Sequence, residues 1–484
     1  MDNNYINDVK THFKNVSLNA RGAERTLYEY IDKGEVWKVV NMMDNNDREV
    51  DNALSEYNPQ NHPVMMRPNK KRKNDTDYIT EKLPRTKERY INEIELFFLL
   101  GKPIEWELKN DEKEAFELFE GFMDKYRMNS LIRKAKRLAG SETESAIVFH
   151  LTKSKNGERM NVKPFVVARS LGYRMRTLFD QYGDLVSFAY GYRLRGKEGK
   201  TVRHWDILTK DFIFECQYGE KGWEVETFPN PTGKINAVYF HQLKAWDGAV
   251  PRLQRMEMLD SKRGDTNNYF SDPMAMATAD VIDRLGATDR PGRLIQLTGA
   301  NSRFDYINPP QNSASRVEEK QDLEKSTLFD TFTPDFSYDN LKGMGTLSGA
   351  AMRNALMLGY IKRDNLTEHY GEMIDRLRSV IVGILKVTES AKSEGLERMK
   401  IAFKFGEPFE DSEDTKIDRI IKLRDAGLMS LETAVRKLGL VEDEEAEIDR
   451  LYAEEMEKAY EANLAQVESQ EQKDRMAEMQ KAEG

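Results

Sequence analysis

Apolar residues recur every three or four positions over most of this chain, and alternate with polar ones only in its middle. Ala23, Leu27, Tyr30 and Ile31, then Val36, Trp37, Val40 and Met43, fall at helical spacing. Between Asn58 and Tyr78 the pattern stops. Prolines at 59, 63 and 68 and the run Lys70-Lys71-Arg72-Lys73 predict an exposed loop or arm there, its basic residues solvated rather than gripping nucleic acid. Glu88 to Leu100 predicts a helix with Tyr90, Ile91, Ile94, Phe97, Phe98 and Leu100 on one broad face, closed by Gly101-Lys102-Pro103. Ile104 to Leu108 alternates as a strand, and Glu112 to Met123 and Leu131 to Ala139 are further helices. From Ala146 to about His241 the period is two. Val186 to Leu194, Phe212 to Cys216 and Trp223 to Phe228 read as strands, separated by turn signals at Gly196, Gly199, Gly219, Gly222 and Asn230-Pro231. The expectation is antiparallel sheet folded onto the preceding helices.

Helical spacing returns from about Val250 to Leu285 through Leu253, Met256, Leu259, Met274, Met276, Val281 and Ile282. Gly292 to Gly299 and Phe304 to Pro310 then read as two short strands, a small pair at the far end of a helical hairpin. The segment from Ser313 to Thr388 holds the strongest organisation. A charged helix around Ser315 to Lys325 is interrupted by Pro334; Lys342-Gly343-Met344-Gly345-Thr346-Leu347-Ser348-Gly349 then leads into a long helix. Leu366, Tyr370, Met373, Ile374, Leu377, Ile381, Ile384 and Leu385 give that helix one continuous apolar stripe, so it buries a face along much of its length. A loop carried between two such helices is positioned rigidly. Met399 to Phe405 alternates as a strand, and the rest is helical. Ile417, Ile420, Ile421 and Leu423 mark one helix; Ser430 caps a second with Glu432 in its first turn; a third runs from Ala446 to about Glu468, after which the charged, alanine-rich end is expected to fray. No internal repeat is present.

Length and composition narrow this picture. At 484 residues, 39% hydrophobic and 32% charged, the chain can form several domains with an ample core and a well solvated surface. It has no apolar run of about 18 residues, so no membrane span is expected, and its start, Met1-Asp2-Asn3-Asn4-Tyr5, lacks the pattern of a secretory leader. Cys216 is the sole cysteine, which rules out an intrachain disulfide and fits a reducing compartment. The net charge of −9 is unevenly placed: from Glu407 onward 23 acidic residues face 11 basic ones, leaving the remainder slightly positive. An acidic end of this kind is a solvated surface that repels polyanions, and no basic groove for tight nucleic-acid binding is evident.

The chemistry-bearing residues form no catalytic constellation. The six histidines at 12, 62, 150, 204, 241 and 369 show no i, i+3 or i, i+4 pairing and no companion cysteines, so no metal is expected. No G-x-S-x-G, H-E-x-x-H or phosphate loop ending in Gly-Lys-Ser/Thr occurs. Gly343-x-Gly345 with Gly349 superficially resembles a dinucleotide fingerprint, but that motif needs a preceding strand, and here charged helix and a proline-containing loop precede it. The glycines read instead as conformational freedom, with Lys342 and the backbone N–H groups near the start of the long helix able to meet phosphate oxygens transiently. No cofactor follows from any of this.

Three stretches resemble the portal, or head-to-tail connector, proteins of tailed double-stranded DNA bacteriophages. Asn92 to Ile104, ending Leu-Gly-Lys-Pro-Ile, is similar to a helix end of that family. The order of a strand at Gly292 to Thr298, a charged helix, Pro334-Asp335-Phe336 and Leu347-Ser348-Gly349-Ala350-Ala351 looks like its clip, stem and tunnel segment. Ala426 to Ala434 followed by acidic Glu442 to Glu447 resembles the start of its crown. Leu259 to Asn268 is only similar to the acidic-amide segment that the family often places there.

The resemblance implies an α+β, non-enzymatic subunit that assembles into a ring, most often of twelve copies. Its wing, of helices and antiparallel sheet, would span 1–249, a stem helix 250–285, a small α/β clip 286–312 and a second stem helix 313–330. A tunnel loop at 331–346 would follow, then the long tunnel helix and its return to the wing at 347–406 and the helical crown at 407–484. It further implies that Phe336, Tyr338, Asn340, Lys342, Gly343 and Gly345 line a DNA channel, and that Arg293, Arg303, Asp305 and Tyr306 of the clip meet partners. Those partners would be the terminase large subunit and a head-tail adaptor, with major capsid and scaffolding proteins around the ring and double-stranded DNA passing through without sequence readout. The location implied is the portal vertex of the virion, after assembly in the host bacterial cytoplasm. A minor capsid or adaptor protein is the alternative within the virion, and a nucleotide-binding enzyme using the glycines near 343 the alternative outside it.

Overall fold

In the computed structural model the alternating middle of the chain forms two antiparallel sheets packed face to face. The structure describes residues 20–71, 77–153, 160–195, 199–271, 275–277, 304–306, 313–337, 342, 351, 354–409, 413–439 and 443–482. They fall into two units, 1–408 and 409–484.

The first unit begins with helices α1 (Ala20–Asp32), α2 (Val36–Met42) and α3 (Asp47–Tyr57). The proline-rich segment that follows is less exposed than expected. Pro59 and Pro63 each open a short 3-10 turn, where the missing N–H is no loss, and His62 and Val64 are buried between the turns and a later helix. A minimal hairpin, β1 (Lys70–Lys71) with β2 (Asp77–Tyr78), follows; residues 72–76 of the basic run lie outside the described residues. Helix α4 (Lys87–Leu100), strand β3 (Ile104–Leu108), α5 (Lys113–Lys125) and α6 (Met128–Glu142) come next.

Eight strands then build the sandwich: β4 (Glu144–Lys153), β5 (Met160–Val167), β6 (Arg174–Phe179), β7 (Leu185–Arg195), β8 (Thr201–Leu208), β9 (Phe212–Gly219), β10 (Gly222–Pro229) and β11 (Ala237–His241). One sheet has the order β10-β9-β8-β7-β6 and the other β11-β4-β5. Because side chains alternate along a strand, each sheet serves two cores. Ala189, Trp205, Ile207 and Phe214 meet Leu27, Ile31, Val36 and Val40 of α1 and α2 on the outside of the larger sheet. Phe188, Tyr190 and Leu208 on its inside meet Ala146, Val148 and Tyr239 of the smaller one. Ile147, Phe149, Val238 and Phe240, on the far face of the smaller sheet, meet the helices. The layer order is therefore helix, sheet, sheet, helix. Gly191 makes room for this packing, since a Cβ there would lie 2.6 Å from the Trp205 ring. Cys216 is buried in the outer layer, and burial pushes its thiol up to about 12, so it is unreactive.

Two antiparallel helices, α7 (Val250–Ser271) and α8 (Ser313–Asp330), form a hairpin: Arg252 pairs with Asp330 at 2.5 Å and Asp260 with Lys320 at 2.8 Å. Helix α7 stops well short of Leu285. Asp272-Pro273 follows it in sequence, a pair that disfavours continued helix. Ala275 to Ala277, expected as helix, is instead a strand (β12) that pairs antiparallel with β13 (Phe304–Tyr306). The expected strand at Gly292 to Thr298 lies outside the described residues. The long helix α9 spans Met357–Thr388 and contributes Tyr370, Met373, Ile374, Leu377, Val380, Ile381 and Ile384 to the largest core. After α10 (Ser393–Arg398), strand β14 (Ile401–Phe405) returns to pair with β3.

The second unit contains α11 (Glu413–Asp425), α12 (Leu431–Leu438) and α13 (Glu444–Ala482). Ser430 Oγ accepts the Thr433 N–H at 3.3 Å, the expected cap, and Gly439 closes α12 at φ +58°. Helix α13 does not end near Glu468 but runs to Ala482, as a composition of Glu, Ala, Gln, Lys and Met favours. No helix among the described residues is long and apolar enough to cross a membrane.

Candidate functional site

The helical hairpin is fixed to the rest of the first unit by two unlike mounts, and Phe336 and Gly359, on either side of the glycine-bearing segment, meet one of them. The first mount acts on α7. Residues 79–85 lie extended along this helix and lay alternate N–H groups on its side chains. Glu81 N–H bonds Asp265 Oδ1 at 2.7 Å, Leu83 N–H bonds Ser261 Oγ at 2.9 Å, and Arg85 N–H bonds Glu257 Oε1 at 2.7 Å. The match is geometric: alternate residues of an extended chain are roughly 6.6 Å apart and every fourth helical residue about 6 Å. Arg67 clamps the other oxygen of Asp265 at 2.7 Å, and Asn268 reaches Glu81 Oε1 at 2.6 Å. Gly264 lets the strap lie close, since a Cβ would fall 2.9 Å from Glu81 Cγ.

His62 completes this mount. Its Nε2 bonds the Glu56 carbonyl at 2.6 Å and its Nδ1 the Glu257 carboxylate at 2.6 Å. A carbonyl only accepts, so Nε2 carries a proton, and the Nδ1–Glu257 contact shares another. Burial lowers the His62 pKa, but the bonds to Glu257 and to the Glu56 carbonyl outweigh it, and the net shift is upward. Glu88 lies nearby, and burial pushes its carboxyl up to about 7. Glu56, His62, Glu88, Asn52 and Gln254 line a polar cavity of about 220 Å³ beside the base of α7.

The second mount acts on the loop and on α9, and α4 supplies it. Helix α8 closes with Thr333 N–H on the Leu328 carbonyl at 2.8 Å and Phe332 at φ +48°, a left-handed position that glycine usually takes. Tyr90 Oη then donates to the Pro334 carbonyl and accepts the Phe336 N–H, both at 2.8 Å. The Phe336 ring lies 6.5 Å from Phe98, and Tyr360 of α9 meets Phe98 edge-on at 5.7 Å. Gly359 is pressed against the same ring, where a Cβ would sit 2.2 Å from Phe98 Cζ. Phe98 therefore meets both Phe336 and Gly359. One turn earlier on α4, Glu95 is buried with Lys136, bonds Gln242 at 2.7 Å and pairs with Lys362 of α9 at 3.0 Å. Burial alone would raise the Glu95 pKa; the charges of Lys136 and Lys362 overcome it and bring it to about 2.

Of the residues expected in the loop, Phe336 is half-buried in this mount and Lys342 is exposed. Tyr338, Asn340, Gly343 and Gly345 lie outside the described residues. Of the expected partner-binding residues, Asp305 and Tyr306 belong to β13, and Arg293 and Arg303 lie outside the described residues. Tyr90, Phe98, Gly359 and Tyr360 were missed as loop anchors, and Glu257, Ser261 and Asp265 as strap ligands. The one signal for the latter was the polar segment Leu259 to Asn268, out of place on a helix that needs a buried face. No group of three or more His, Cys, Asp or Glu able to hold a metal occurs among the described residues.

The family model for phage portal proteins of the SPP1 Gp6-like type matches residues 38–461. No curated relative matches the chain. Among solved structures, a chain of the virion of a native gene transfer agent particle is similar at 10% identity and a TM-score of 0.40, over 82% of this chain and 95% of that one. A chain from the neck of the empty particle has 10% identity and a TM-score of 0.40, covering 73% and 89%. One from the neck of the native particle, computed with C12 symmetry, has 10% identity and a TM-score of 0.36, covering 82% and 94%.

Proposed function

We propose that this chain, which belongs to the SPP1 Gp6-like family of phage portal proteins, forms a ring-shaped channel through which double-stranded DNA enters and leaves the capsid. It is a structural component of the virion portal and not an enzyme. In this reading the ring has twelve copies, the excursion between Phe336 and Gly359 lines the channel, and Tyr338, Asn340, Lys342, Gly343 and Gly345 face DNA. The β12–β13 end of the hairpin, with Arg293, Arg303, Asp305 and Tyr306, is the docking end for terminase and a head-tail adaptor. Residues 1–249 form the wing and 407–484 the crown.

The observation that carries the reading is the Phe98 mount. It holds Phe336 and Gly359, on either side of a glycine-bearing segment, on one helix. A conduit needs such a loop, because each strong phosphate contact would be a site from which moving DNA must escape. The charge agrees: at −9 per chain a ring of twelve carries on the order of −100, which favours repulsive passage. Native mass spectrometry of the purified chain is expected to give rings of about twelve. Deleting Tyr338 to Gly343 should leave those rings intact while lowering DNA packaging or retention. Normal genome content in such particles would overturn the channel assignment, and a chain that stays monomeric under all assembly conditions would overturn the ring.

A further inference from the structure

Unit 409–484 exposes two unlike apolar surfaces. Along α13, Ile448, Tyr452, Met456, Tyr460 and Leu464 form a ridge at four-residue spacing that winds about 40° per step round the helix. Ile448 is buried within the unit, but Tyr452 is 44% exposed, Met456 76%, Tyr460 67% and Leu464 45%. Within the unit, α13 is held at its start: Tyr452 Oη meets Glu432 at 3.5 Å and Arg424 meets Glu455 at 2.5 Å. From Met456 onward the helix continues to Ala482 with its apolar row open. Elsewhere in the unit, Ile421 of α11 is 49% exposed and Leu428, in the turn after it, is 76% exposed.

We infer that the α13 row docks on the Ile421–Leu428 surface of a neighbouring copy of this chain. The inference rests on the ring reading above and gives it a contact. A single helix in water gains little from its own hydrogen bonds, so an apolar row of four residues calls for a partner surface. Two different apolar patches on one unit are what a head-to-tail contact requires, and such contacts close into rings. Charge favours the same pairing. Helix α13 carries 12 acidic and 5 basic residues, whereas α11 and α12 together carry 6 basic and 5 acidic, with Lys422, next to Ile421 in sequence, exposed.

The full-length chain allows a direct test, because its sole native cysteine is buried and unreactive. Differently tagged chains carrying Leu428→Cys or Tyr460→Cys are co-assembled and oxidised. The mixture is expected to yield disulfide-linked pairs containing both tags, well above the level in either single variant. In a second arm, Met456→Ser and Tyr460→Ser should each raise the concentration for half-assembly about tenfold, the equivalent of ~1.4 kcal/mol of lost burial. Intact rings without the mixed cross-link, or with unchanged assembly in the serine variants, overturn this contact and leave the ring reading standing. A wild-type chain that forms no rings overturns both. Cross-linking to a capsid or scaffolding protein in place of a second copy overturns the choice of partner.

Discussion

The two mounts differ in what they fix. The strap against α7 is a ladder of directional bonds from successive alternate N–H groups to Asp265, Ser261 and Glu257, so a slip of the strap by one residue removes all three. It sets register. The mount on α4 combines Tyr90's two hydrogen bonds to Pro334 and Phe336 with aromatic contacts at Phe98, and is ionic beneath them. Phe98 touches Phe336 and Tyr360 without directional bonds, while Glu95 ties α9 to α6 through Lys362 and Lys136. It sets position but leaves ring-on-ring contacts that tolerate small shifts. Helix α7 is thus held by a hydrogen-bond ladder, and Phe336 and α9 by Tyr90's two hydrogen bonds, aromatic packing and ion pairs.

Substitutions can break each mount separately. The largest effect is expected at Glu95. Glu95→Ala leaves fully buried Lys136 without its counter-charge and should cost about 3–5 kcal/mol in urea unfolding; a cost below 1 kcal/mol would show that the ionic part of the mount is dispensable. Next is the aromatic contact. Gly359→Val drives a side chain into the Phe98 ring and should cost about 1–3 kcal/mol, with a large part recovered by adding Phe98→Leu. Strict additivity of the two would mean that they do not meet.

The strap should grade by the charge of the acceptor. Asp265→Ala loses charged bonds to Glu81 N–H and Arg67 and is expected to cost about 1.5–3 kcal/mol, whereas Ser261→Ala, with one neutral bond to Leu83, should cost about 1 kcal/mol. Equal losses would contradict the ladder as drawn.

The smallest effect is a pH dependence at the strap mount. His62 is raised in the folded state, so its contribution is complete below about 6.5 and is lost as pH rises through the higher folded value. Glu88 is raised to about 7, so deprotonation weighs against the folded state as pH climbs from its ordinary 4.5 to that value. Both slopes have the same sign. The melting temperature should fall between pH 5.5 and 8, and Glu88→Gln should flatten the fall; an unchanged slope would remove Glu88 from the account.

Much of this was legible in order along the chain. Alternation around Phe188 and Phe214 marked strands, and the stripe from Leu366 to Leu385 marked the long buried helix. Leu-Gly-Lys-Pro-Ile after Asn92 and the Pro334-Asp335-Phe336 stop pointed to the family. The failures have physical causes too. Met276 continued a helical spacing, yet Ala275–Ala277 pairs as strand with Phe304–Tyr306, because a distant partner supplies the ladder. His62 and the polar residues of α7 read as solvated, because a polar residue whose partner is a backbone N–H some 180 residues away looks the same in sequence as one facing water. Phe98 read as core, and so it is, but nothing near it in sequence announces that Phe336 and Gly359 converge there.

The sequence by itself determined most of the elements, their order and which face of each is apolar, since spacing along a helix or strand maps directly onto a face. Only the tertiary structure decided what each face meets. Burial is non-directional and accepts many partners, whereas the strap ladder and the Phe98 mount depend on close approach between residues far apart in the chain.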